Sequence, residues 1–233
     1  MIINKAILGG ALSCLLDNNT DVCAIEPDGT IIASNRLLLY VAEPVKKEVI
    51  DRIPFGNHDP LGETCVFPKA AIEMLFKSIQ KDTIFKGILE HASISLADRP
   101  LVNIETRSGT QSQHFELRRV NRPIGDWKKV LRETWRGTVL PSPQRFIYNR
   151  LRLESAVGAI SAACKYSGNF SPVFVELSGS NKILWRLSNE LTGQRVIIVF
   201  SSAEIKEEWP KFNAWEKSIF EPKEKIKITR KVT

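Results

Sequence analysis

The strongest constraint on how this chain folds is an order of elements that recurs along it: one amphipathic helix, then three short alternating strands. It is clearest in the middle. Over 69–80, Ala71, Ile72, Leu75, Phe76 and Ile79 recur at helical spacing, with Lys69, Glu73, Lys77 and Gln80 on the opposite side. Pro68 stands at the first helical position, where a missing N–H costs nothing. Alternating segments follow at 92–96, 101–106 and 114–120, separated by turn signals at Asp98-Arg99-Pro100 and Ser108-Gly109. The order returns when Leu153, Val157, Ile160 and Cys164 mark a helix face, followed by strands at 173–177, 183–187 and 194–200. A weaker copy opens the chain. There Ile3, Ile7, Ala11 and Leu15 predict a short helix interrupted at Gly9-Gly10, then strands at 22–26, 30–34 and 37–42.

Helices on one face of antiparallel sheets define an α+β architecture of repeated helix-plus-strand units. A further strand enters the second unit at 63–67 and the third at 145–149. Each unit presents only half a layer to bury, so two units make one domain. The expected organisation is a complete two-unit domain at 1–137, a linker at 138–144 whose Pro141 and Pro143 favour extended chain, and a third unit with a basic tail at 145–233. In the tail, Ser201 and Ser202 offer an N-cap for a helix over 203–209, ended by Pro210.

The formal charge of +7 is local. Residues 1–115 carry 11 basic and 14 acidic residues, whereas 116–152 carry 10 basic residues against Glu116, Asp126 and Glu133. That basic stretch is interleaved with Trp127, Trp135, Phe146 and Tyr148, as on a phosphate-contacting surface; a solvated connector has the same composition.

Other chemistries find little support. Cys14, Cys23, Cys65 and Cys164 lie far apart among apolar neighbours and read as buried free thiols rather than disulfides. His58, His91 and His114 never reach the i, i+4 spacing of a metal pair, so neither metal nor cofactor is expected. No phosphate loop or nucleophile elbow occurs, and the expectation is a protein without enzymatic activity. Apolar runs are strand-length and the N-terminus lacks a secretory pattern, which gives a cytoplasmic expectation with no membrane partner.

Three passages then resemble the bacterial DNA polymerase sliding clamp (β-subunit) family, in a divergent and shortened form. Glu26-Pro27-Asp28-Gly29-Thr30-Ile31-Ile32-Ala33-Ser34-Asn35-Arg36-Leu37-Leu38-Leu39 is similar to the turn and strands of the family's middle domain. Val66-Phe67-Pro68-Lys69-Ala70-Ala71 is similar to the strand-to-helix entry of that domain's second half. Arg122-Pro123-Ile124-Gly125-Asp126-Trp127-Lys128-Lys129-Val130-Leu131 resembles its closing passage, after which residues 145–200 fit the first half of the third domain.

The resemblance implies a processivity or tethering factor for DNA replication, in a setting such as a phage or mobile element. Its partners would be double-stranded DNA, held non-specifically, and a polymerase or repair-type protein. Clamps are rings of twelve such units with helices lining the hole, so three units per chain imply a homo-oligomer of four. Lys69, Lys77, Arg152 and Lys165 are then the helix residues expected to face DNA. Arg118, Arg119 and Lys128 are the expected contacts on the basic stretch. The family's peptide pocket maps onto Ser34 and Leu39 on one side and Lys129 and Val130 on the connecting side. Two departures stand out: Arg36-Leu37 replace the family's Gly-His, and the absent last half-domain would leave the pocket without its C-terminal wall.

Two other readings stay open. One is a clamp-fold adaptor without DNA encirclement, using Leu37, Leu38, Leu39, Trp127 and Trp135 as apolar contacts. The other is direct DNA binding through 116–152 without a ring.

Overall fold

The computed structural model describes residues 1–18, 20–35, 38–80, 88–136, 150–164, 173–178, 182–189 and 192–201; of the side chains within these, those of 135, 136, 174 and 176–178 are left aside. The first unit contributes β1 (Ile2–Asn4), α1 (Lys5–Ser13), β2 (Val22–Ile25), β3 (Ile31–Asn35) and β4 (Leu38–Ala42), with a short α2 (Lys47–Ile50) after it. The second contributes β5 (Cys65–Pro68), α3 (Lys69–Ser78), β6 (His91–Leu96), β7 (Leu101–Ser108) and β8 (Gln111–Arg118). Then come α4 (Trp127–Arg136), α5 (Arg150–Ala163), β9 (Phe174–Ser178), β10 (Lys182–Ser188) and β11 (Arg195–Ser201). The α+β architecture is the expected one.

The strands form two antiparallel sheets in the orders β1-β6-β7-β8 and β5-β2-β3-β4-β11-β10-β9. The first strand of each of the first two units therefore crosses to the other unit's sheet: β1 pairs with β6, and β5 pairs with β2. The third unit joins the larger sheet through β11, whose Val196 lies opposite Ala42 and whose Phe200 lies opposite Leu38. The described residues all belong to one compact unit. The linker at 138–144, the entering strand at 145–149 and the tail helix at 203–209 lie outside the described residues.

One large apolar cluster joins the inner faces of both sheets to α1, α3 and α5. A second covers the opposite face of the larger sheet, where Val22, Ala24, Ile32, Leu39, Val41, Val66, Leu184 and Val199 lie beneath Trp127, Val130 and Leu131. This explains why β4 and β11 read as continuous apolar runs: both faces are covered.

Three local expectations are corrected. Gly9 and Gly10 do not interrupt α1; the helix runs through them. Asn4 caps it, its Oδ1 accepting the Ala6 N–H at 2.9 Å. Each interior glycine costs roughly 1 kcal/mol relative to alanine, and close packing is what it makes possible. A Cβ at Gly10 would sit 2.6 Å from the Tyr40 hydroxyl oxygen and 2.8 Å from its ring; one at Gly9 would meet Phe76 at 2.9 Å and the Ala162 Cβ at 3.4 Å. Tyr40 is fully buried and donates its O–H to the Ile7 carbonyl at 2.8 Å.

The second correction concerns α5. The face expected to be buried is only partly so: Leu153 is 39% and Val157 47% exposed, while Ser155, Ala156, Ala159 and Ala163 point inward. The short α1–α5 separation admits only small side chains there, so size outweighs hydrophobicity in choosing the buried face. At the start of α3, Pro68 proves to be the capping residue at the end of β5 rather than the first helical position.

Gly10→Ala is expected to destabilise the protein by about 1–3 kcal/mol through overpacking against Tyr40. Gly125→Ala, where nothing lies within 4 Å, serves as the control and should shift the urea midpoint little.

Candidate functional site

The outer face of the larger sheet is where the β4–β11 ladder lies under α4. The backbone reaches α4 along the edge of β5, with the Val120 N–H donating to the Val66 carbonyl at 2.8 Å. Asp126 starts the helix, its Oδ1 accepting the Lys129 N–H at 2.9 Å. Trp127, Val130, Leu131 and Thr134 share one face toward the sheet, while Lys128, Lys129, Arg132 and Glu133 are exposed. One polar contact fixes the helix start: the Trp127 indole N–H donates to Glu26 Oε1 at 2.9 Å. Lys128 Nζ lies 4.0 Å from Glu26 Oε2 and 5.1 Å from the Trp127 ring centroid.

Trp127 divides the seam into two hollows. The first, of about 250 Å³, is lined by Ser34, Leu39, Ile124, Val130, Lys182 and Val199 among others. Three of the four expected pocket residues thus converge: Ser34 and Leu39 lie opposite each other on β3 and β4, and Val130 faces them from α4. Lys129 stays outside, exposed, with Nζ 3.9 Å from Glu133 Oε1. The third unit contributes Lys182, Val199 and Ser201 to the same lining. The second hollow, of about 560 Å³, has Val41, Ile197, Trp127 and Leu131 as apolar lining and Arg186 and Arg195 among its polar residues.

The residues expected to face DNA occupy two different layers. On the helix layer, Lys69 donates to the Leu16 carbonyl at 3.3 Å and lies 3.9 Å from Glu73 Oε1. Lys77 is exposed in the last turn of α3, and Arg152 donates to the Ser201 carbonyl at 3.4 Å. Lys165 lies outside the described residues. On the sheet side, Arg118 is exposed at the end of β8 and Lys128 is exposed on α4. Arg119 is committed elsewhere: its side chain is 8% exposed, and Nη1 donates to Glu63 Oε1 at 2.6 Å. Arg99 binds the same carboxylate. These two guanidinium groups hold the Glu63 carboxyl below its ordinary value of 4.5.

Of the apolar contacts expected for an adaptor, Leu38 and Leu39 are buried in the sheet and Trp127 is half-buried. Leu37 and the Trp135 side chain lie outside what is described. The sequence reading missed α4 as a helix and missed Glu26, Lys182, Val199 and Ser201 as site residues. The spacing Trp127, Val130, Leu131, Thr134 carried the first signal, and the uninterrupted apolar run of β11 carried part of the second.

Neither a family model nor a curated protein matches the sequence. Solved structures do match. A. fulgidus PCNA, in a structure with the C-terminal region of FEN-1 bound, aligns with a TM-score of 0.51 and 9% identity over 89% of this chain and 98% of that one. A chain of the PCNA2–PCNA3 complex from Sulfolobus tokodaii aligns with a TM-score of 0.50 and 8% identity over 86% and 98%. At such identities the likeness concerns architecture: the chain has the DNA-clamp fold. The neighbours are PCNA-type clamps rather than the bacterial β-subunit that the sequence passages resemble. No helix among the described residues is long and apolar enough to cross a membrane.

The Glu63–Arg119 pair yields a pH test. Because its carboxyl is depressed in the folded state, Glu63 stabilises fully above 4.5, and that contribution is lost as pH falls through the lower folded value. Wild type should exceed Glu63→Gln in urea midpoint at pH 7, and the gap should shrink progressively below pH about 4.5.

Proposed function

We propose that this chain is a non-enzymatic clamp-fold tethering factor that holds a protein partner through a short peptide seated at the α4 seam. The observation that carries the reading is the convergence of Ser34, Leu39 and Val130 on one hollow closed by β10 and β11. The A. fulgidus PCNA structure with a bound FEN-1 segment supports it by analogy of fold. Val130→Glu puts a carboxylate on the hollow's apolar wall. A photo-crosslinker at Ser34 should capture a partner in nuclease-treated extract from the wild type and not from the Val130→Glu variant. Capture unaffected by Val130→Glu would remove the pocket from the proposal.

The finer reading is a divergent sliding clamp that raises the processivity of a DNA polymerase or repair enzyme. The three sequence passages argue for the bacterial family, and the fold supports a clamp in general. In this reading, four chains close around double-stranded DNA. Strands β8 and β9 each end one of the two sheets and offer backbone groups for chain-to-chain pairing. Of the expected DNA contacts, Lys77, Arg118 and Lys128 are exposed. The complex should remain on nicked circular DNA, leave it on linearisation, and weaken with salt. Equal retention on both DNA forms would exclude topological tethering.

A specific observation favours an adaptor without DNA as the second reading. Leu151, Leu153 and Val157 on α5 and Met74 on α3 are exposed on the helix layer, where Lys69 pairs with Glu73 and Arg150 pairs with Glu154. Such a surface is poorly suited to phosphates.

A further inference from the structure

The larger hollow combines features that the smaller one lacks. Along β10 and β11, side chains alternate between the two faces of the sheet: Ile183, Leu187, Val196, Ile198 and Phe200 enter the main core, while Leu184, Ile197 and Val199 join the outer cluster. The same period places Arg186 and Arg195 on the outer face. Arg186 lies opposite Ile197, and Arg195 lies opposite Ser188, so the two guanidinium-bearing positions are diagonal neighbours on adjacent strands. Both line the hollow, beside the apolar surface formed by Val41 and Ile197, which are themselves direct partners across β4 and β11.

Like charges at neighbouring positions on one sheet face repel each other. Among the described residues, Glu43 is the one acidic residue lining the hollow, and its carboxylate Oε2 is occupied by the Arg195 backbone N–H at 2.9 Å. The Arg195 guanidinium itself makes no hydrogen bond or ion pair among the described residues. Lys46 adds a further cation at this end of the sheet, its Nζ lying 2.8 Å from where a Cβ on Gly193 would be. Apolar lining with an uncompensated guanidinium at its rim complements a ligand that has an apolar side chain and a carboxylate close together.

We infer that the larger hollow is a second peptide subsite, which takes an aliphatic or aromatic residue flanked by aspartate or glutamate, with the carboxylate held by Arg195. The inference rests on the proposed peptide-tethering role and gives its partner a chemistry: an extended, acidic segment that enters the seam on the far side of Trp127 from Ser34. Trp127, fixed by Glu26, separates the two subsites and sets the spacing between a partner's two anchors.

The test uses the full chain as bait for a displayed library of random twelve-residue peptides, followed by affinity measurement on synthetic copies of the enriched sequences. The expected result is enrichment of peptides with an acidic residue beside an apolar one. Arg195→Glu should weaken them at least tenfold, and lysine-substituted copies should regain binding to the Arg186→Glu/Arg195→Glu variant. Both arginines are exposed, so these variants keep the core intact, which a thermal melt of each variant verifies. Peptides without acidic bias, or indifferent to Arg195→Glu, would overturn the second subsite; if they were still lost on Val130→Glu, the proposed tethering role would stand. A library that yields no specific peptide would overturn both.

Discussion

The ladder between β4 and β11 is the interaction on which the rest of this molecule depends. Its five register pairs, from Leu38 with Phe200 to Ala42 with Val196, join the first helix-and-strand unit to the last and extend a four-stranded arrangement into one of seven. The inner side chains of both strands enter the main core, and the outer ones form the surface on which α4 lies. Without this ladder neither hollow would have a second wall, because Lys182, Val199, Arg186 and Ile197 all come from the third unit.

On the inner side, the limiting quantity is distance. Gly9 and Gly10 bring α1 close to Tyr40, Phe76 and α5, and the small residues of α5 answer them. That close approach sends Leu153 and Val157 outward, leaving α5 with an apolar outer surface. The outer side follows a different logic. There Trp127 and Glu26 fix a helix whose cations point to solvent, so apolar surface and positive charge lie next to each other across a few residues.

The repeated unit was legible because periodicity is a local property. Helical spacing in α3 and alternation in β7 reflect burial decided within each element. The fate of Gly9-Gly10 was not legible, since glycine in a helix is explained only by what packs against it, and Tyr40 and Phe76 lie far along the chain. The buried face of α5 failed for the same reason: spacing identifies an apolar stripe, but the room available is set by a neighbouring helix. At the site, Ser34, Leu39 and Val130 were reached through family resemblance. Val199 and Lys182 depend on which strand adjoins β4, information that alternation within β11 does not contain. Arg119 illustrates the limit for charges. Its position in a basic stretch resembles that of Arg118, yet the nearby Glu63 makes one a structural ion pair and leaves the other exposed.

The same ladder has a kinetic side. Residues 38–42 find their partners only at 196–200, so the larger sheet closes through a contact between nearly opposite ends of the described chain. During synthesis from the N-terminus, β4 is complete long before β11 exists, and its edge carries Leu38, Leu39, Tyr40 and Val41 with unpaired backbone groups. Such an edge is a template for pairing with other chains until its own partner arrives. The late closure of the seam therefore makes the nascent first two units the stage most exposed to aggregation, and it makes both hollows among the last features of the fold to form.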